Sequence, residues 1–174
     1  MLRKKAQVFT FDVFFSLIFF VSVFVIWLLI TNQLVEQASY AYELNMLDKK
    51  LQRASDMLIR SKGIPEDWES NPNEAKAFGL VKDSEYILSK EKILQFLNML
   101  NTNPDKTKNS LGFSGYNLYV RFANITGDDF DPPYEGGNFP SEQKIVVSIN
   151  RYFLMDMEGS ENKELAMMQM IVWR

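Results

Sequence analysis

Residues 13–30, VFFSLIFFVSVFVIWLLI, contain only two side chains that are not apolar, Ser16 and Ser22. Eighteen such residues reach the lower bound for a helix that crosses a bilayer, and Phe9 and Phe11 extend the run. Arg3, Lys4 and Lys5 precede it, whereas Glu36, Glu43 and Asp48 follow it. The positive-inside bias then predicts a single-pass chain in the cell membrane, with a cytoplasmic N-terminus and an extracellular C-terminal domain. Two processing fates compete at this stage. One is a permanent signal anchor. The other is a secretory peptide cut after the apolar run, near Ser39-Tyr40-Ala41, although Gln33 and Glu36 intervene.

Composition narrows the function classes. The 174 residues leave room for one long helix and one domain of ordinary size. The net charge of −3 argues against a nucleic-acid partner. There is no cysteine, which removes disulfides and thiolate chemistry, and no histidine, which removes the commonest general base and metal ligand. Carboxylate, lysine or serine catalysis has no supporting spacing, so neither an enzyme nor a cofactor is expected.

The segment 31–62 continues the helix. No proline or glycine occurs from Thr31 to Ile59, and Leu44, Leu47, Leu51, Ala54 and Leu58 recur at spacings of three and four. Arg60, Lys62, Gly63 and Pro65 form a stop signal. A helix over residues 7–60 would be about 80 Å long at 1.5 Å per residue. Its apolar half suits lipid or other apolar helices, and its striped half suits one face of a globular domain. A stalk or a coiled coil between anchored chains is the alternative, but the stripe is short for one.

The head, residues 63–174, begins with a turn-rich linker that Trp68, Phe78 and Leu80 would pin to the domain. Ser89 is a predicted N-cap for a helix with Ile93, Phe96, Leu97 and Leu100 on one face. A short helix starting at Pro104 would stop at Gly112. The period then falls to two. Tyr116, Leu118, Val120 and Phe122 alternate with Asn117, Tyr119, Arg121 and Ala123, as in a half-buried strand. This aromatic strand reads as a core face rather than a platform for stacking bases. Further strands are expected over residues 144–155 and 164–173, joined by a turn at Glu158-Gly159-Ser160-Glu161-Asn162. Met155, Met157, Met167, Met168 and Met170 would pack core and sheet edges. The fold class is α+β, a long helix laid on a small antiparallel sheet of three or four strands.

Two polar motifs stand out in the head. Gly127-Asp128-Asp129-Phe130-Asp131 with Glu135 places carboxylates in a Pro/Gly-rich loop. The spacing is not that of a twelve-residue calcium loop, so a solvated loop is expected. Asp128, Asp129 and Asp131 would be the ligands if a metal were held. Asn124-Ile125-Thr126 fits the N-glycosylation acceptor pattern.

The N-terminus supports a third processing fate. Basic Lys4 and Lys5, small Ala6, then Gln7 and an apolar helix with Asp12 near its start resemble an archaeal type IV prepilin with a class III-type signal peptide. The head resembles the same pilin-like group in Pro65-Glu66-Asp67-Trp68, Phe78-Gly79-Leu80, Leu111-Gly112 and Tyr116-Asn117-Leu118-Tyr119, so the likeness spans about the first 120 residues. It implies a leader of residues 1–6 removed by a prepilin peptidase between Ala6 and Gln7. The helix of residues 7–30 would stay in the mature protein and pack with copies of itself or other pilin-like subunits. Filament growth by the pilus assembly machinery, and adhesion at the cell surface, are implied too. Removing Arg3, Lys4 and Lys5 would take the net charge from −3 to −6. Many family members carry Glu at the fifth mature position; this chain would carry Asp at the sixth. Asp12 then has two candidate roles: pairing with the Gln7 amine of its own or a neighbouring subunit, or sitting solvated at the lipid boundary. The competing function is a non-polymerising, membrane-anchored surface protein whose head binds a ligand or partner.

Overall fold

A computed structural model of the chain describes residues 2–141, 145–156 and 163–174, with side chains from Phe11 onward. The predicted turn from Glu158 to Asn162, together with Met157 and Lys144, lies outside the described residues. The chain divides into two compact units, Met1–Glu43 and Leu44–Arg174.

The first element is one helix, α1, Leu2–Arg60. No proline or glycine interrupts those 59 residues, so no backbone donor is lost and no left-handed position is offered. Ala6 and Gln7 fall within this helix. In the first unit its side chains from Phe11 to Ile30 are exposed. In the second unit the periodicity takes effect: Leu47, Leu51, Ala54 and Leu58 are buried at the centre of the core, with Leu44 packed at its margin.

The end of α1 is sealed by the chain that follows. A helix leaves its last four carbonyls without intrahelical partners. Here Ser61 N–H and Oγ reach Met57 O at 3.1 and 2.8 Å, Leu80 N–H reaches Leu58 O at 2.9 Å and Tyr86 N–H reaches Ile59 O at 2.9 Å. Gly63 makes the exit turn with φ 91°, and a Cβ there would lie 2.4 Å from the Trp68 ring. Only glycine satisfies both demands. Residues 63–81 form a two-stranded ribbon, β1 (Gly63–Ile64) with β2 (Ala77–Phe78), and two single-turn 3₁₀ helices. Trp68, Phe78 and Leu80 are fully buried, and the Trp68 indole N–H donates to Gly79 O at 2.8 Å.

Next come β3 (Ile87–Ser89), α2 (Lys90–Thr102) and α3 (Pro104–Ser110). The Ser89 hydroxyl accepts the Lys92 N–H at 3.4 Å, so the predicted N-cap is in place, and Ile93, Phe96, Leu97 and Leu100 face the core. Gly112, with φ 81°, follows α3. Four strands complete the chain: β4 (Asn117–Asn124), β5 (Asp129–Gly137), β6 (Val146–Asp156) and β7 (Lys163–Trp173).

The sheet has five strands in the order β3-β6-β7-β4-β5, antiparallel except for β3, which runs parallel to β6. It is therefore mixed and one strand wider than expected. The three residues of β3 are too few to show a period. The predicted carboxylate loop is largely β5, which reads poorly as a strand because it holds Pro132, Pro133, Gly136 and Gly137. It lies at an edge, where a proline facing away from the ladder costs no hydrogen bond. On the opposite edge β3 covers only Leu154, Met155 and Asp156. Residues 146–153 of β6 therefore have β7 as their only strand partner among the described residues.

One sheet face meets the helices. Leu118, Val120, Phe122, Phe153, Met155, Ala166, Met168, Met170 and Val172 join the α1 stripe and α2 in a single core cluster. Arg151 ties β6 to the helix, its Nη2 lying 3.0 Å from the Asp56 carboxylate and its Nε 3.1 Å from the buried Ser55 hydroxyl. Tyr119 departs from the expected alternation. It points to the other face yet is buried, packed with Ile171 and Trp173 in a second small cluster. Met167 is half-buried on that face, between the two strand neighbours of β7.

The burial difference along α1 gives a paired expectation. Leu51→Ala should destabilise the folded unit by about 2–5 kcal/mol, the usual cost of a core cavity. Leu34→Ala, at a side chain 59% exposed, should leave its stability unchanged. Denaturant unfolding of both variants in detergent micelles measures the contrast.

Candidate functional site: the apolar half of the long helix and the polar clusters of the head

Phe11 to Ile30 carry no core contacts. Every large apolar side chain in that stretch is at least 42% exposed, and Phe19 reaches 73%. The mean hydropathy of the most apolar 18-residue window is 3.0, and none of that window is buried. The helix is thus long and apolar enough to cross a membrane. Twenty residues at 1.5 Å each span about 30 Å, the thickness of a hydrocarbon core.

Two hydroxyls, one inside the stretch and one just past its end, bond back to the helix. Ser22 Oγ donates to Ile18 O at 2.8 Å, and Thr31 Oγ1 donates to Trp27 O at 2.8 Å. Aromatic rings line up along one side: Phe20 and Phe24 stack at 6.5 Å, and Phe24 and Trp27 at 5.9 Å. Exposure of so much apolar surface to water opposes the free-energy gain of about 25 cal/mol per Å² that burial brings. An apolar surround of lipid or other helices removes that penalty.

Asp12 lies near the start of this surface and is exposed. It is the eleventh residue of α1, beyond the first turn in which the helix dipole acts. A helix beginning at Gln7 would bring it to the second turn. Five residues separate Gln7 from Asp12, a rise of about 7.5 Å and a rotation of about 140°. Its own Gln7 amine is therefore out of ion-pair reach.

In the head, the carboxylates singled out as metal candidates do not converge. Asp129 pairs with Arg121, whose Nε lies 2.5 Å from Oδ1. Asp128 accepts from the Thr126 hydroxyl at 2.5 Å, and that bond, then one from the Asn124 amide, holds its carboxyl below the usual range. Asp131 is exposed on β5. Among the described residues no group of three or more His, Cys, Asp or Glu is placed to hold a metal. Asn124 closes β4, half-buried, with Thr126 exposed in the turn beyond it.

Two polar contacts had no signal in the sequence. Lys92 is buried near the start of α2, where a cation opposes the helix dipole. Its ammonium donates to Lys62 O at 2.8 Å and Glu66 O at 2.5 Å, and lies 3.6 Å from the Glu69 carboxylate. It fastens the linker to α2, and three local partners outweigh the dipole. Tyr119 donates its hydroxyl to the Glu135 carboxylate at 2.5 Å. Burial first, and that bond second, push its phenol up to about 12. Two clefts in the head are small. One near Leu100, Asn117 and Trp173 encloses about 180 Å³, and one beside Lys92 and Glu69 about 280 Å³. Both fall below the roughly 300 Å³ at which small-molecule sites begin.

Replacing Lys92 by Met should destabilise the folded unit by about 3–5 kcal/mol, because Glu69 and two carbonyls would lose their partner. Chemical denaturation of the variant reads this directly. Tyr119 gives a pH expectation. A raised folded value means that its contribution is fully present below the ordinary 10.0 and is lost as pH rises through about 12. Ultraviolet titration should show one phenol ionising near 12, absent in Tyr119→Phe.

Comparison of the chain with protein-family models, with curated proteins and with solved structures found no match.

Proposed function

We propose that the chain is a type IV pilin-like subunit, major or minor, of an archaeal surface filament assembled through its N-terminal helix. One observation carries the reading: α1 bears two apolar surfaces of different kinds. Residues 47–58 present a narrow stripe already consumed by the head's own core. Residues 13–30 are apolar on all sides but for Ser16 and Ser22, and are uncovered. A helix hydrophobic all round belongs in a membrane or among other helices. A filament core offers both environments in succession, lipid before assembly and neighbouring helices after it.

The leader fits the same scheme. A cut between Ala6 and Gln7 removes the basic residues and creates an amine at the apolar end. Because Asp12 is out of reach of its own Gln7, the pairing is assigned to the Gln7 of a neighbouring subunit. An unpaired carboxylate in an apolar surround is costly, so the contact would also set the axial stagger between helices.

Mass spectrometry of the native protein from membranes and from the sheared surface fraction tests this. The expected N-terminus is Gln7, with material in the sheared fraction, and Val23→Asp should insert in the membrane yet abolish filaments. Filaments of normal abundance in Val23→Asp would defeat the proposal. An uncut chain confined to membranes would favour the anchored, non-polymerising surface protein.

A further inference from the structure

The turn joining β4 to β5 treats the two ends of the Asn124 amide differently. Asn124 Oδ1 accepts the Asp128 N–H at 2.8 Å. The Thr126 hydroxyl lies 2.7 Å from the same oxygen and 2.5 Å from the Asp128 carboxylate, and its single proton serves one of them at a time. Its Nδ2 makes one longer contact among the described residues, 3.4 Å to the Asp128 carboxylate. The backbone closes the turn independently: Asn124 N–H reaches Asp128 O at 3.0 Å and Gly127 N–H reaches Asn124 O at 3.0 Å. The oxygen holds the turn, and the nitrogen is nearly spare. Ile125 and Thr126 stand exposed beside it.

We infer that Asn124 is an N-glycosylation site, taking a saccharide delivered as a polyprenyl phosphate or pyrophosphate ester by a membrane-bound transferase. The inference rests on the outward placement of the head in the reading above. Asn124-Ile125-Thr126 supplies the acceptor pattern, and the exposed Thr126 supplies the hydroxyl that defines it. In the transfer, Asn124 Nδ2 forms a bond to the anomeric carbon of the sugar. The bond from that carbon to the lipid phosphate oxygen breaks, and the phosphate departs with the electron pair. One amide proton passes to a base of the transferase. Nothing is oxidised or reduced.

The product suits the turn. N-linkage leaves the amide carbonyl intact, so Oδ1 still accepts the Asp128 N–H after transfer. The secondary amide keeps one N–H, and the nitrogen's 3.4 Å contact to Asp128 is long beside the 2.5 Å contact between that carboxylate and Thr126. A sugar here extends from the β4–β5 end of the sheet rather than from the core.

The test is peptide mass spectrometry on full-length protein from its native membranes, reading the tryptic fragment between Arg121 and Lys144. The expected result is a mass increase of whole sugar residues localised to Asn124. Thr126→Ser should retain it. Thr126→Val should lose it, and so should Asn124→Asp, which keeps an acceptor oxygen for the turn but has no nitrogen to modify. A bare Asn124 in the wild-type protein overturns the inference. Sidedness is read separately: the chain has no cysteine, so Ser70→Cys can be labelled on intact cells with a membrane-impermeant maleimide. Labelled chain with bare Asn124 overturns glycosylation alone. Unlabelled chain with bare Asn124 overturns the outward placement as well.

Discussion

The folded unit depends on a stripe of four residues on one helix. Among the described residues of α1, Leu47, Leu51, Ala54 and Leu58 are, with Ile59 and Ser55, the ones that reach the buried interior, and sheet and α2 residues join the apolar ones in one cluster. Burying each leucine contributes about 1.5–3 kcal/mol. The stripe is useful only if the helix stops where the head can close over it. That is the task of the linker, which supplies an N–H donor to Leu58 and places Trp68 against Gly63, while Tyr86 beyond it donates to Ile59. Lys92 then fixes the linker from the far side through the carbonyls of Lys62 and Glu66. Helix end, linker and α2 are therefore a single hydrogen-bonded arrangement, and loss of any one member strands polar groups of the other two.

Much of this was legible from residue order because it is governed by short-range rules. The stripe follows the 3.6-residue period, the end of α1 follows Arg60 and Gly63, and the α2 start follows Ser89. The strands β4, β6 and β7 follow the period of two and their β-branched and aromatic content. What escaped was set by long-range partners. β5 is a strand because β4 pairs with it through Tyr119 to Ala123, a fact that its own prolines and glycines conceal. β3 exists through three residues of β6, which lie more than sixty positions later. The burial of Tyr119 depends on Ile171 and Trp173 arriving on the same face. Lys92, a surface residue by type, is buried by three oxygen atoms that no local pattern announces.

The polar motifs of the head followed a similar division. The sequence grouped Asp128, Asp129 and Asp131 because they are neighbours in the chain, but Asp128 stays in the turn before β5, and the pairing of β5 with β4 shifts register between Asp129 and Tyr134. Arg121 takes one and Thr126 another. Adjacency in sequence is a poor guide to a ligand set when two of the carboxylates already have different partners. At Asn124 the same turn geometry discriminates within a single side chain, oxygen from nitrogen, a distinction that no sequence pattern expresses.

The two edges of the sheet are unlike. On β5, Pro132 and Pro133 lack amide hydrogens, so that margin cannot template a complete ladder with a stranger. On β6, the covering strand ends after three residues, and the remaining margin from Val146 to Phe153 is bordered by no second strand among the described residues. The folded unit is thus directional with respect to backbone pairing: a second copy set beside it would meet a receptive margin on one flank and an unreceptive one on the other. Such a mismatch disfavours propagation of edge-to-edge stacking from one head to the next, and leaves side-chain surfaces to govern how the heads adjoin.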